Sequence, residues 1–189
     1  MHEIFVSINS LDRSILSAIQ SYLQNDFFDW LMPIVTALGN GGIGWIVLAL
    51  ILICTKKYRK AGLVALLAII INTLLGEVIL KNIIQRARPF INDTSLKILI
   101  TKPISYSFPS GHTGASVAAA AALSANIKGY GKYFWILAGL IAFSRLYLYV
   151  HYPTDVIAGI ILGLISYKLA EILYNRIISR KIPNDKLQE

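Results

Sequence analysis

Apolar residues run along this chain in long blocks separated by short polar breaks. The blocks fall at roughly 26–38, 43–55, 61–86, 112–126, 133–149 and 155–175. Blocks of this length without strict alternation predict helices rather than strands. A membrane-crossing helix needs about 20 apolar residues. The first two blocks are therefore short, and would have to extend or tilt against the Gly39-Asn40-Gly41-Gly42 turn, while the third is long enough to project beyond the hydrocarbon. Residues 10–23 follow another pattern. Ile8, Leu11, Ile15, Ile19 and Tyr22 recur at helical spacing with Asp12 and Arg13 between them. That suits either a helix lying in the membrane interface or a plain packing helix. A long polar stretch, 87–110, separates the third and fourth blocks, and there is no repeat or low-complexity tract. The expected fold class is all-α: a polytopic membrane helix bundle with six transmembrane helices plus an N-terminal amphipathic interfacial helix. The expected organisation is an amphipathic segment 1–24, a six-helix membrane domain 25–180 and a polar cytoplasmic tail 181–189.

Composition agrees with a bilayer setting. Of 189 residues, 56% are hydrophobic and 15% charged, against about 25% charged in soluble domains, and the mean hydropathy is +0.61. The net charge of +8 would raise nucleic-acid binding in a soluble protein. Here the basic residues sit at the ends of apolar blocks, so the expected partner is the lipid bilayer and not nucleic acid. Lys56, Lys57, Arg59, Lys60, Lys128, Lys132, Arg176, Arg180, Lys181 and Lys186 fall on one side of the alternating blocks; Lys81, Arg86, Arg88, Lys97, Lys102 and Arg145 fall on the other. The positive-inside rule then expects both termini to be cytoplasmic. No secretory signal is expected, because the first 25 residues lack a basic start followed by a continuous apolar core. The single cysteine, Cys54, excludes an internal disulfide framework and reads as a small buried side chain. Gly159 and Gly163 suit close helix packing, within one chain or between two.

Three polar groups lie at the extracytoplasmic ends of the blocks in this arrangement. Lys81 and Arg88-Pro89 close the third block. Seven residues is nearly two helical turns, so the two cations share a face if the helix continues, although Pro89 pushes Arg88 out of helical geometry. Such a pair suits a many-oxygen anion or an interfacial helix end. Phe108-Pro109-Ser110-Gly111-His112 precedes an Ala-rich helix. Ser110 is a candidate N-cap, Gly111 admits close backbone approach, and the helix start favours an anion beside His112. Ser144-Arg145, His151 and Asp155 bracket the last break. Asp155 can reach a ring nitrogen of His151, fixing its tautomer and steadying its imidazolium, which would make the other nitrogen a directed nucleophile. Glu77, four residues before Lys81, can pair with it, or can meet a second substrate phosphate through a water or proton; the ion pair is the expected reading. Asn72 is expected to make an interhelical hydrogen bond, and Tyr147, Tyr149 and Tyr152 to form an interfacial belt. No metal-ligand pattern occurs, so neither metal nor cofactor is expected.

In these residues the chain resembles the type 2 phosphatidic acid phosphatase family, which also includes vanadium haloperoxidases and glucose-6-phosphatase. The resemblance rests on K-x6-RP (Lys81 to Arg88-Pro89), PSGH (Pro109 to His112) and SR-x5-H-x3-D (Ser144-Arg145, His151, Asp155), all matched and in order. It implies that His151 attacks phosphorus to form a phosphohistidine and that Asp155 orients it. It further implies that His112 protonates the leaving oxygen and then activates water. Lys81, Arg88, Arg145, Ser110 and the Gly111 N–H would bind phosphate oxygens. The residues alone do not say which histidine attacks. The resemblance also implies a lipid phosphate substrate, with undecaprenyl diphosphate favoured by an outward-facing site. Phosphatidylglycerophosphate, phosphatidic acid and a lipid A phosphate are the alternatives. A haloperoxidase is disfavoured because those relatives are soluble. A non-catalytic lipid carrier is disfavoured because both histidines and both arginines are present.

Overall fold

The computed structural model describes residues 2–92 and 98–179, so Lys97, Arg180, Lys181, Lys186 and the expected tail 181–189 lie outside the described residues. The described chain is helical: α1 (His2–Leu23), α2 (Asp26–Leu38), a short 3-10 turn (Asn40–Gly42), α3 (Ile43–Cys54) and α4 (Arg59–Thr73). A π-helical turn (Leu74–Leu80) leads from α4 into α5 (Lys81–Ile84), followed by α6 (Pro89–Asn92), α7 (Gly111–Asn126), α8 (Gly131–Tyr147) and α9 (Pro153–Ser179).

Each apolar block is a helix, but the expectation of six membrane spans is overturned. Two helical runs are long and apolar enough to cross a membrane, Arg59–Ile91 and Pro153–Ile177. A third crossing follows if α2 and the Asn40–Cys54 run, bent by 43°, form one broken span. The physical reason is length. α7 and α8 have 16 and 17 residues, about 24–26 Å at 1.5 Å per residue, short of a hydrocarbon core of about 30 Å.

α7 is the centre of the bundle, packed against α4, α8 and α9. Its run Ala118 to Ala122 is buried, because small side chains let neighbouring backbones close in. α9 answers with Gly159 and Gly163, whose missing Cβ atoms would lie 2.7 Å from Ser110 O and 2.6 Å from Gly114 O. That pair therefore packs within one chain. Asn72 lies against Gly114, but its buried Oδ1 has no hydrogen-bond partner, so that oxygen does not make the expected interhelical bond. Cys54 is exposed rather than buried.

α1 begins earlier than the pattern suggested and lies across one end of the bundle. Leu16 is buried with Met32, Phe90, Tyr147, Leu148, Tyr149, Val150 and Tyr152, while Leu11 and Tyr22 are exposed. Tyr147, Tyr149 and Tyr152 are thus core beneath α1 and not an interfacial belt. Gln20 Nε2 donates to Tyr147 O at 2.8 Å, and Asp12 accepts the Thr154 N–H at 3.0 Å. At the opposite end, Lys60 of the α3–α4 corner sits over the Tyr174 ring near the end of α9. α1 therefore packs at one end of the bundle and the last turns of α9 lie at the other.

Candidate active site

Lys81 is buried, with Nζ 2.8 Å from Glu77 Oε1 and 3.1 Å from Ser105 Oγ. The pair is the i,i+4 arrangement that helical geometry brings together. The helix stops soon after, at Gln85 with φ 50°, so Arg88 does not share a helical face with Lys81. The loop 105–107 brings them together instead. Arg88 Nε donates to Ser105 O at 2.7 Å and Nη2 to Ser105 Oγ at 3.1 Å. Its Nη1 donates to Val150 O at 2.8 Å and lies 3.2 Å from His151 Nε2.

Ser110 stands at the N-cap position of α7 but makes no side-chain cap bond; its hydroxyl meets Thr113 Oγ1 at 2.9 Å. Its N–H donates to Asp155 O at 3.0 Å, tying the start of α7 to the start of α9. At Gly111 a Cβ would collide with the Glu77 carboxylate, so glycine is needed for that approach. His112 Nε2 lies 2.9 Å from Asn40 Oδ1 in the 3-10 turn.

Arg145 is buried, with Nη1 bonded to Thr36 Oγ1. Its Nε is buried and donates to no protein group. A buried donor without a partner is costly, and this one belongs to a residue lining the site cavity. Ser144 points away, its hydroxyl on Ile141 O at 2.6 Å. His151 is 1% exposed. Its Nδ1 is 3.6 Å from Asp155 Oδ2, an ion-pair distance rather than a hydrogen bond. The Ser107 hydroxyl donates to the same Oδ2 at 2.5 Å and lies 3.5 Å from Nδ1. Oxygens thus surround Nδ1 and hold the proton there, leaving the lone pair on Nε2 beside Arg88. Asp155 also accepts the Tyr152 N–H at 2.9 Å and Arg86 Nη1 at 2.7 Å.

Lys81, Arg88, Arg145, His112, His151, Gly111 and Glu77 line one cavity of about 910 Å³. Ser110, Ser144 and Asp155 stand outside that lining. Burial lowers the pKa of both histidines. At His112 the cations Arg145, Lys81 and Arg88 add to this; at His151 Asp155 opposes it while Arg88 and Arg145 add to it. The site is therefore two buried imidazoles inside a cage of cations, able to hold an oxyanion against a nitrogen lone pair. Among the described residues no group of three or more His, Cys, Asp or Glu could hold a metal ion.

Ser105, Ser107, Thr36, Asn40 and Arg86 were not legible as site residues from the sequence. Only Arg86, two positions before Arg88, carried a local signal.

The sequence pattern of the PAP2 superfamily matches residues 61–178. An undecaprenyl-diphosphatase of Sulfolobus acidocaldarius is 36% identical over 149 residues, covering 76% of this chain and 69% of its own. Aquifex aeolicus LpxE superposes with a TM-score of 0.75 at 26% identity, over 86% of this chain and 95% of its own. A PAP2 type phosphatidylglycerolphosphate phosphatase from Bacillus subtilis superposes with a TM-score of 0.70 at 27% identity, over 95% of this chain and 90% of its own.

Proposed function

The chain belongs to the PAP2 superfamily, and from that premise we propose that it hydrolyses undecaprenyl diphosphate to undecaprenyl phosphate and phosphate. The observation that carries the reading is the convergence of three buried or nearly buried cations and both histidines on one cavity, with Arg145 Nε unpaired. Such preorganised donors stabilise a phosphoryl transition state without reorganisation.

In this mechanism Lys81, Arg88, Arg145 and the Gly111 N–H hold the oxygens of the terminal phosphate. His151 Nε2 attacks phosphorus. The bond to the bridging oxygen breaks, and His112, which enters this step protonated once the negative charge of the substrate offsets the surrounding cations, gives its proton to the departing lipid phosphate. His112 then takes a proton from water as that water attacks the phosphohistidine, releasing phosphate and restoring His151. Asp155 balances the positive charge that His151 carries in the intermediate. Ser110 stands at the start of α7, and its hydroxyl can donate to a phosphate oxygen while accepting from the Thr113 hydroxyl.

Basic residues support an orientation with the site facing the extracytoplasmic side. Lys56, Lys57 and Lys128 fall in the turns at the other end, and Arg59, Lys60 and Lys132 in the first helical turns beside them. The packing of α1 on the site-bearing end supports an outward-facing α1 and an inward-facing end of α9, rather than two cytoplasmic termini.

Phosphatidylglycerophosphate is the second reading, favoured by the likeness to the Bacillus subtilis enzyme across nearly the whole chain. The test is phosphate release by purified protein in detergent with EDTA, from undecaprenyl diphosphate, phosphatidylglycerophosphate and phosphatidic acid, each beside His151→Ala. EDTA-resistant, His151-dependent turnover of undecaprenyl diphosphate above the others is expected. Preference for a glycerophospholipid would replace the substrate and keep the mechanism. No His151-dependent release from any substrate would refute the proposal.

A further inference from the structure

We propose that Asp12, on the N-terminal helix, is a positioning residue for the phosphatase reaction: through Arg86 it sets how much of the Asp155 charge reaches His151. The inference rests on the phosphatase reading above. It starts from a buried carboxylate that the mechanism does not use.

Asp12 is 1% exposed, although it lies on a helix whose outer face is open to lipid and solvent. Its Oδ2 accepts Arg86 Nη2 at 2.7 Å and the Thr154 hydroxyl at 2.6 Å. Its Oδ1 accepts the Thr154 N–H at 3.0 Å, so it also pins the first turn of α9. Arg86 turns its other arm, Nη1, to Asp155 Oδ1 at 2.7 Å. Its guanidinium plane lies over the Tyr152 ring at 4.0 Å. One guanidinium is thus shared between two buried carboxylates, one on α1 and one beside the nucleophile.

The sharing has a direction. Asp12 neutralises part of the Arg86 charge, leaving the Asp155 carboxylate free to support the imidazolium that forms when His151 is phosphorylated. Without the Asp12 charge, Arg86 acts wholly on Asp155, and His151 is left among cations. The groups facing His151 are Arg88 from the α5–α6 turn, Arg145 from α8, His112 from α7, Asp155 from α9 and the Ser107 hydroxyl from the loop. Asp155 is the one carboxylate in that set, so its effective charge governs how readily His151 becomes positive.

Asp12→Asn keeps the shape and can still accept the Thr154 N–H while losing the charge. The expected result is a kcat lower by roughly 10–100-fold with KM changed by less than about threefold. The acid limb of kcat/KM should move to lower pH, because protonated His151 is less stable. The ionisation of the substrate is common to both enzymes and cancels in the comparison. A merely structural loss would lower activity and leave the limb in place, or move it to higher pH where the variant unfolds in acid; neither gives the shift to lower pH. Asp12→Glu retains the charge and should keep the wild-type limb. Asp12→Asn combined with Arg86→Gln should be no slower than Arg86→Gln alone, and Arg13→Gln, on the exposed face of α1, should behave as wild type. A wild-type kcat in Asp12→Asn, or a lower kcat with an unmoved limb, would overturn the proposal. Wild-type protein showing no more release than His151→Ala would instead sink the phosphatase reading beneath it.

Discussion

Gly159→Ala adds one methyl group where α9 crosses the start of α7. The new Cβ would lie 2.7 Å from Ser110 O, 3.1 Å from Thr113 Cβ and 3.3 Å from Gly114 N. The first contact is about 0.7 Å short of the 3.4 Å at which ordinary contact begins. The obstacle is a backbone carbonyl, so no side chain can swing aside and the two helices must part. Overpacking of this kind costs about 1–3 kcal/mol, offset by about 0.5–1 kcal/mol from the better helix propensity of alanine. The expected net loss of stability is therefore modest, up to about 2.5 kcal/mol. Activity should suffer more. The same patch holds the Ser110 N–H to Asp155 O, so parting the helices moves Asp155 and His151 relative to His112 and Gly111. Misplacing reacting groups by about 1 Å can cost about 10²-fold, and a displacement of this size should lower kcat by some tens-fold. Lipid phosphate turnover in detergent reads this, with thermal unfolding measured on the same samples. Gly139→Ala on α8 is the control, because its Cβ would meet nothing within 4 Å, and it should be as active and at least as stable as wild type. A Gly159→Ala protein with kcat within threefold of wild type, or a Gly139→Ala protein equally damaged, would refute the reasoning.

Two further outcomes follow from the site. Arg145→Lys keeps the charge but loses the fork that bonds Thr36 and leaves Nε for an anion; kcat/KM should fall by about 10²–10³, and a change below fivefold would show that charge alone suffices. His151 has a pKa below the 6.5 of an ordinary histidine because burial disfavours its charged form. The unfolded chain therefore binds a proton that the native one does not as pH falls below 6.5. Its contribution to stability is full above that pH and is lost below it, with a slope of at most about 1.4 kcal/mol per unit. The melting temperature should be lower at pH 5 than at pH 7.5, and the difference should shrink in His151→Ala; equal shifts in both proteins would count against it.

Local pattern determined a good deal of this molecule. Runs of apolar side chains marked the helices, because an apolar block too long for a strand has helix as the economical way to satisfy its backbone. The Glu77–Lys81 pair followed from helical spacing alone, and the three motifs marked Lys81, Arg88, Gly111, His112, Arg145 and His151, which line the cavity. Tertiary structure decided the rest. Whether a helix crosses a membrane depends on where its turns cut it, and the turns at Thr55–Tyr58 and Ile127–Tyr130 leave α3, α7 and α8 short. Arg88 reaches Lys81 through Ser105 and not along a shared face, because Gln85 breaks the helix between them. Tyr147 and Tyr152 are core because α1 folds over them, and Asp12 meets Arg86 from 74 residues away. Periodicity carries information over one or two helical turns. The partners of Ser105, Ser107, Arg86 and Asp12 are set by the path of the chain between helices, and only the assembled bundle brings them within hydrogen-bond distance.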